Sequence, residues 1–155
     1  MITKEKIESL LNEVNKGTDR FIVDLQIAPG NKISVELDAF SGFSIGDCVK
    51  VSRFIENNLD REAEDFELNV SSPGADKPFK VPMQYQKNIG RTLKVKTMEG
   101  KELEGKLIGA TQGEFTLETN TREKIEGRNS KQNVIRTHQF HINTIKEAKI
   151  ILSFK

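Results

Sequence analysis

A chain of 155 residues with 30% charged side chains, a mean hydropathy of −0.51 and no long apolar run excludes a membrane-spanning helix and describes a soluble protein of one domain or two small ones. Its single cysteine, Cys48, excludes an internal disulfide, and residues 1–7 lack the apolar stretch of a secretory signal, so a cytoplasmic location is expected. The net charge of +1 conceals a division: residues 1–82 hold 10 Lys/Arg against 15 Asp/Glu, whereas residues 83–155 hold 14 against 8. An acidic half suits a basic partner and a basic half suits a polyanion such as RNA.

Thr3 reads as the N-cap of a first helix, with Glu5 complementing the dipole and Ile2 and Ile7 at the staple positions. Ile7, Leu10, Leu11 and Val14 form its apolar face, and Lys16-Gly17 closes it. Phe21, Val23, Leu25 and Ile27 then alternate, Ala28-Pro29-Gly30-Asn31 supplies a turn, and Ile33, Val35 and Leu37 alternate again, which predicts a β-hairpin. Ser44 opens a second helix, paired with Asp47 in a variant of the capping box. Its buried stripe is expected at Ile45, Cys48, Val49, Ser52, Ile55 and Leu59, making Cys48 a buried structural thiol. Phe66, Leu68 and Val70 predict a third strand, so residues 1–82 read as an α-β-β-α-β domain with both helices on one sheet face.

Three of the four prolines (Pro73, Pro78, Pro82) fall within ten residues, and proline fixes its own φ while restricting the residue before it. The run Ser71-Ser72-Pro73-Gly74-Ala75-Asp76-Lys77-Pro78 is therefore expected to be a stiff joint between two domains, with Gly74 at a turn position that favours positive φ. Beyond it, Leu93 with Val95, Leu103 with Leu107, and Phe115 with Leu117 mark short strands of an antiparallel meander. Asn120 to Ser130 reads as a loop, and Val134 to Ile142 and Lys149 to Phe154 as further strands. Five short strands suggest a small closed barrel over residues 83–155.

No residues converge on a reaction. Residues 100–106 resemble a phosphate-binding loop, but Leu107 stands where Ser or Thr should hold magnesium, and the segment lies in a hairpin instead of between a strand and a helix. His138 and His141 fall on opposite faces of a strand, so no metal site is expected there. With no tryptophan and one tyrosine, the basic half lacks a base-stacking signature. Lys87, Arg91, Lys94, Lys96 and Lys106 remain as candidates for salt-sensitive contacts to an rRNA backbone. No cofactor and no catalytic residue is expected.

Residues 44–78 carry a specific similarity. Ser44-Ile45-Gly46-Asp47-Cys48, Val51-Ser52-Arg53, Leu59-Asp60 and the run from Leu68 to Pro78 resemble the RimP family of bacterial ribosome maturation factors. The resemblance implies an α+β protein: an N-terminal α-β-β-α-β domain followed by a C-terminal Sm-like small antiparallel β-barrel. It also implies a non-enzymatic, monomeric factor for late assembly of the small ribosomal subunit, binding a basic small-subunit ribosomal protein near the decoding centre, rRNA, or both. Asp47, Ser52, Asp60, Ser71, Ser72, Pro73, Gly74, Asp76, Lys77 and Pro78 are then the signature residues expected to form the joint or face a partner. A general RNA-binding module acting through the basic half is the alternative.

Overall fold

The computed structural model describes residues 2–124, 127 and 131–152. In it Thr3 opens α1 (Lys4–Asn15), its hydroxyl accepting the Lys6 N–H at 3.2 Å. The strands β1 (Arg20–Ala28) and β2 (Lys32–Ala39) pair antiparallel around a turn that puts Gly30 and Asn31 at positive φ, as tight hairpins require. α2 (Ile45–Asn57) follows, and β3 (Glu67–Ser71) returns parallel to β2, giving the sheet order β1-β2-β3. Ile7, Leu10 and Leu11 of α1 and Val51 and Ile55 of α2 cover Leu25, Ile33, Val35 and Leu37 of the sheet in one core. Each fully buried aliphatic side chain contributes about 1.5–3 kcal/mol, so this small cluster holds the unit together.

The face that α2 buries differs from the one its sequence suggests. Val51 and Ile55 are fully buried, with Phe54 and Leu59 packed beside them, whereas Ile45 is 84% and Val49 42% exposed. At 3.6 residues per turn the apolar residues of this helix spread over roughly two-thirds of its circumference, more than one sheet face can cover. The sheet takes the side centred on Val51 and Ile55, leaving Ile45, Val49 and Ser52 on the outside. Cys48 lies between the two sides and is only half-buried.

The chain forms two compact units, Met1–Gly74 and Ala75–Lys155, dividing ahead of Pro78 and Pro82. The second unit begins with a segment tied to its own sheet, the Phe79 N–H donating to the Ala148 carbonyl at 2.8 Å. A short helix unforeseen from the sequence, α3 (Pro82–Lys87), has proline at its first turn, where the missing N–H costs nothing. The Gln84 side chain, buried, accepts the N–H groups of Lys80 and Val81. Gly74 is not among the described glycines with positive φ, which are Gly17, Gly30, Gly42, Gly90, Gly100 and Gly127. The chain turns instead over the residues just after it, so Pro73-Gly74 does not form the expected glycine-requiring turn.

β4 (Thr92–Thr97), β5 (Glu102–Ala110), β6 (Glu114–Lys124), β7 (Lys131–His141) and β8 (Ile145–Ile150) form an antiparallel sheet in the order β7-β6-β5-β4-β8. Leu93, Val95, Leu107, Phe115, Leu117 and Ala148 fill its core, and Tyr85 of α3 stacks on Phe115 with ring centroids 4.7 Å apart. The edge strands β7 and β8 share no ladder among the described residues, so the mixed α+β class is met while closure of a barrel is not seen. The polar stretch expected as a loop is instead partly strand: pairing continues from Asn120↔Ile135 to Lys124↔Lys131. Backbone hydrogen bonds and the β-branched Thr121, Val134 and Ile135 sustain a ladder without a continuous apolar face, which hides it from a reading based on hydrophobic alternation. Residues 125, 126 and 128–130 of that expected loop, and the 153–154 end of the last expected strand, lie outside the described residues.

Candidate functional site

Two surfaces carry candidate residues, one on each unit. On the first, the outer side of α2 and the strand β3 enclose a groove of about 410 Å³, lined by Ile45, Cys48, Val49 and Ser52 from the helix and by Leu68 and Val70 from the strand. Burial pushes the Cys48 thiol pKa up, with the charge of Asp47 adding to the effect, so the thiol lines the groove as an uncharged group.

Asp47 itself builds the helix. Its carboxylate accepts the Ser44 N–H at 2.9 Å while the Ser44 hydroxyl accepts the Asp47 N–H at 3.1 Å, closing a capping box. The Ser44 backbone bond, then the Ser44 hydroxyl and the neighbouring Arg20, hold the Asp47 pKa below its ordinary value. Asp60 is also occupied locally, accepting the Glu62 N–H at 2.9 Å. Ser52 alone of the signature residues on α2 faces the groove; Ser71 ends β3, and Ser72, Pro73 and Gly74 lead away from it. Asp76, Lys77 and Pro78 are exposed at the start of the second unit.

On the second unit, Lys94, Lys96 and Lys106 share one face of the sheet because they lie in the same alternation of β4 and β5. Most cross-strand neighbours on that face are acidic: Lys94 opposes Glu104, Lys96 opposes Glu102 and Glu147, and Lys106 opposes Glu118, while Lys94 also opposes Lys149 and Lys106 opposes Thr92. Lys94 reaches Glu102 at 3.8 Å. The face is a checkerboard of charge, less positive than a count of lysines implies. Lys87 ends α3 and Arg91 precedes β4, outside this alternation. On the β6–β7 ribbon, Arg136 pairs with Glu123, whose pKa this bond lowers. His138 bonds Thr119 at 3.2 Å and is half-buried, and His141 lies 3.3 Å from Glu114. Among the described residues no cluster of His, Cys, Asp and Glu could hold a metal, and no helix is long and apolar enough to cross a membrane.

The family model for the RimP N-terminal domain matches residues 10–76, nearly the whole first unit. A ribosome maturation factor RimP of Flavobacterium psychrophilum is 39% identical over 155 residues, 99% of this chain and 100% of the relative. The chain belongs to the RimP family. The same name is carried by relatives from Christiangramia forsetii, 41% identical over 97% of this chain and 99% of theirs, and from Porphyromonas gingivalis, 37% identical over 85% and 87%. Within this RimP chain, sequence reasoning identified Ser52 as a signature residue but missed the groove around it. The available signal was an apolar arc on α2 too wide for a helix with one buried face.

Proposed function

We propose that this protein assists late assembly of the small ribosomal subunit without catalysing a reaction, acting as a monomer in the cytoplasm. Its acidic unit binds a basic small-subunit ribosomal protein transiently, and its basic unit touches rRNA. The observation that carries the reading is the separation of charge between the two units: Met1–Gly74 holds 14 acidic against 8 basic residues, and Ala75–Lys155 holds 16 basic against 9 acidic. Opposite charge steers encounter and excludes wrong partners on each side. The relatives' shared name, ribosome maturation factor, supplies the ribosomal context. A short helix leading into five antiparallel strands supports an Sm-like assignment for the second unit.

The alternative, a general RNA-binding module acting through the second unit alone, is less well supported. Its sheet lysines face glutamates across most strand pairs, with Lys94 opposite Lys149 as an exception, so a basic track is interrupted. Co-sedimentation of the full chain with free small subunits, mature ribosomes and total RNA at low and high salt separates the two. Preferential binding to free small subunits, weakening as salt rises, is the expected result. Equal retention by any RNA, with no preference for subunits, would replace it by the alternative.

A further inference from the structure

Among the described residues β3 pairs with β2 alone, so its other edge is open. The Glu67 N–H donates to the Asn31 carbonyl at 3.0 Å, on the β2 side. Main-chain groups reverse direction at each residue of a strand, so the N–H and C=O of Leu68 and Val70 point out along the open edge. The same two residues line the groove with Ile45, Cys48, Val49 and Ser52. An open row of backbone donors and acceptors thus runs beside an apolar trough, the pairing by which a sheet edge takes up an extended peptide.

Charge decides the occupant. Glu56 lines the groove, the connection after α2 carries Asp60, Glu62 and Asp65, and β3 opens with Glu67, all exposed. Arg61 in that connection is engaged with Asp65 at 3.2 Å and the Phe66 carbonyl at 2.9 Å, and its guanidinium also lies 4.0 Å from Glu56. Arg53 is the basic side chain lining the groove, and Lys50 lies exposed on the same helix. The acids prevail, and so does the excess of 14 acidic over 8 basic residues in the unit. A nucleic acid, or the acidic unit of a second copy, would meet like charge; a basic polypeptide would meet opposite charge.

We propose that the β3 edge takes an extended, lysine- or arginine-rich segment of a protein partner as a fourth strand. The segment bonds the main chain of Leu68 and Val70, sets small apolar side chains against Ile45 and Val49, and directs its cations to Glu56 and the acidic connection. The inference rests on the reading that the acidic unit binds a basic ribosomal protein, and adds the place and the conformation of that contact.

The test uses the full chain, isotope-labelled, titrated with purified basic proteins of the small ribosomal subunit one at a time. One of them is expected to bind and to slow amide exchange at Leu68 and Val70 at least tenfold. Val70→Pro removes an outward donor at a position where an edge strand tolerates proline, and should weaken binding at least tenfold. Val49→Lys, at an exposed site that leaves the core untouched, fills and charges the groove and should do the same. Binding with unchanged exchange at Leu68 and Val70, or undiminished binding by Val49→Lys, overturns the strand-addition proposal and leaves the ribosomal-protein reading standing. Absence of binding by every one of these proteins overturns both. Protection that grows with the chain's own concentration and needs no partner assigns the edge to a second copy and overturns the proposal.

Discussion

The Arg20 guanidinium, on β1, lies 3.2 Å from the Asp47 carboxylate in the first turn of α2. Asp47 therefore joins sheet to helix while also completing the cap with Ser44. Ser44→Ala should cost about 1 kcal/mol of stability in urea unfolding. Asp47 ionises more readily in the folded chain than at its ordinary value of 3.8. The stability this adds is complete above that value and is lost as pH falls through the folded-state value. Asp47→Asn should flatten this acid limb, and a stability profile retaining the wild-type slope would contradict the assignment.

The two sides of α2 should respond differently to truncation. Val51→Ala empties a fully buried site and should cost about 1–3 kcal/mol, whereas Ile45→Ala, at a side chain 84% exposed, should change stability by no more than about 0.5 kcal/mol. Denaturant midpoints of the two variants check this directly; equal losses would return Ile45 to the core.

Gly74 and Gly90 should also part company. Gly90 has φ +100°, a conformation L side chains rarely adopt, and its N–H bonds the Leu107 carbonyl at 2.7 Å. Gly90→Ala should cost about 1–3 kcal/mol. Gly74→Ala, at a residue without positive φ, should be neutral or slightly stabilising, because alanine narrows the unfolded ensemble. Thermal melts of the two variants provide the comparison.

A side chain at Gly105 has no room. A Cβ there would sit 3.0 Å from the Glu118 carbonyl oxygen and 3.2 Å from the Leu117 Cβ, both held by the neighbouring strand. Gly105→Val should destabilise the second unit by about 1–3 kcal/mol or more, read as faster amide exchange at Leu107 and Leu117.

Tyr85, the chain's single tyrosine in the absence of any tryptophan, reports on the second core by itself. Burial pushes its pKa from 10.0 up to about 12. The phenolate absorbance should therefore appear late in an alkaline titration and return to the ordinary value in denaturant. The folded state keeps its proton longer than the unfolded chain does. The associated stability is whole below pH 10 and declines as pH rises toward 12.

Local chemistry was legible where few residues decide it. Thr3 and the Ser44–Asp47 pair announce helix starts, and the Pro29-Gly30-Asn31 turn fixes a hairpin whose register places Leu25 opposite Val35. Features set by more distant geometry were not legible. Which side of α2 faces the sheet depends on where the sheet lies, and the helix offers apolar residues to both sides. The ribbon formed by β6 and β7 continues through polar pairs such as Arg122 and Asn133, which carry no alternation to read. The lysines of β4 looked like a basic track until strand pairing set Glu102 and Glu104 across from them. Ser52 was expected in the buried stripe by periodicity and named a signature residue by resemblance, and only the packing of α2 against β3 shows the trough it lines.

β3 is five residues long, bounded by an acid at Glu67 and followed closely by Pro73. Its outward main chain can form four hydrogen bonds, from Leu68 and Val70, and at a net value of about 1 kcal/mol each these alone give only a millimolar grip. An added strand would therefore be held chiefly by its side chains and dislodged when competing contacts form elsewhere. A short edge makes release fast, which suits the transient binding proposed for this chain.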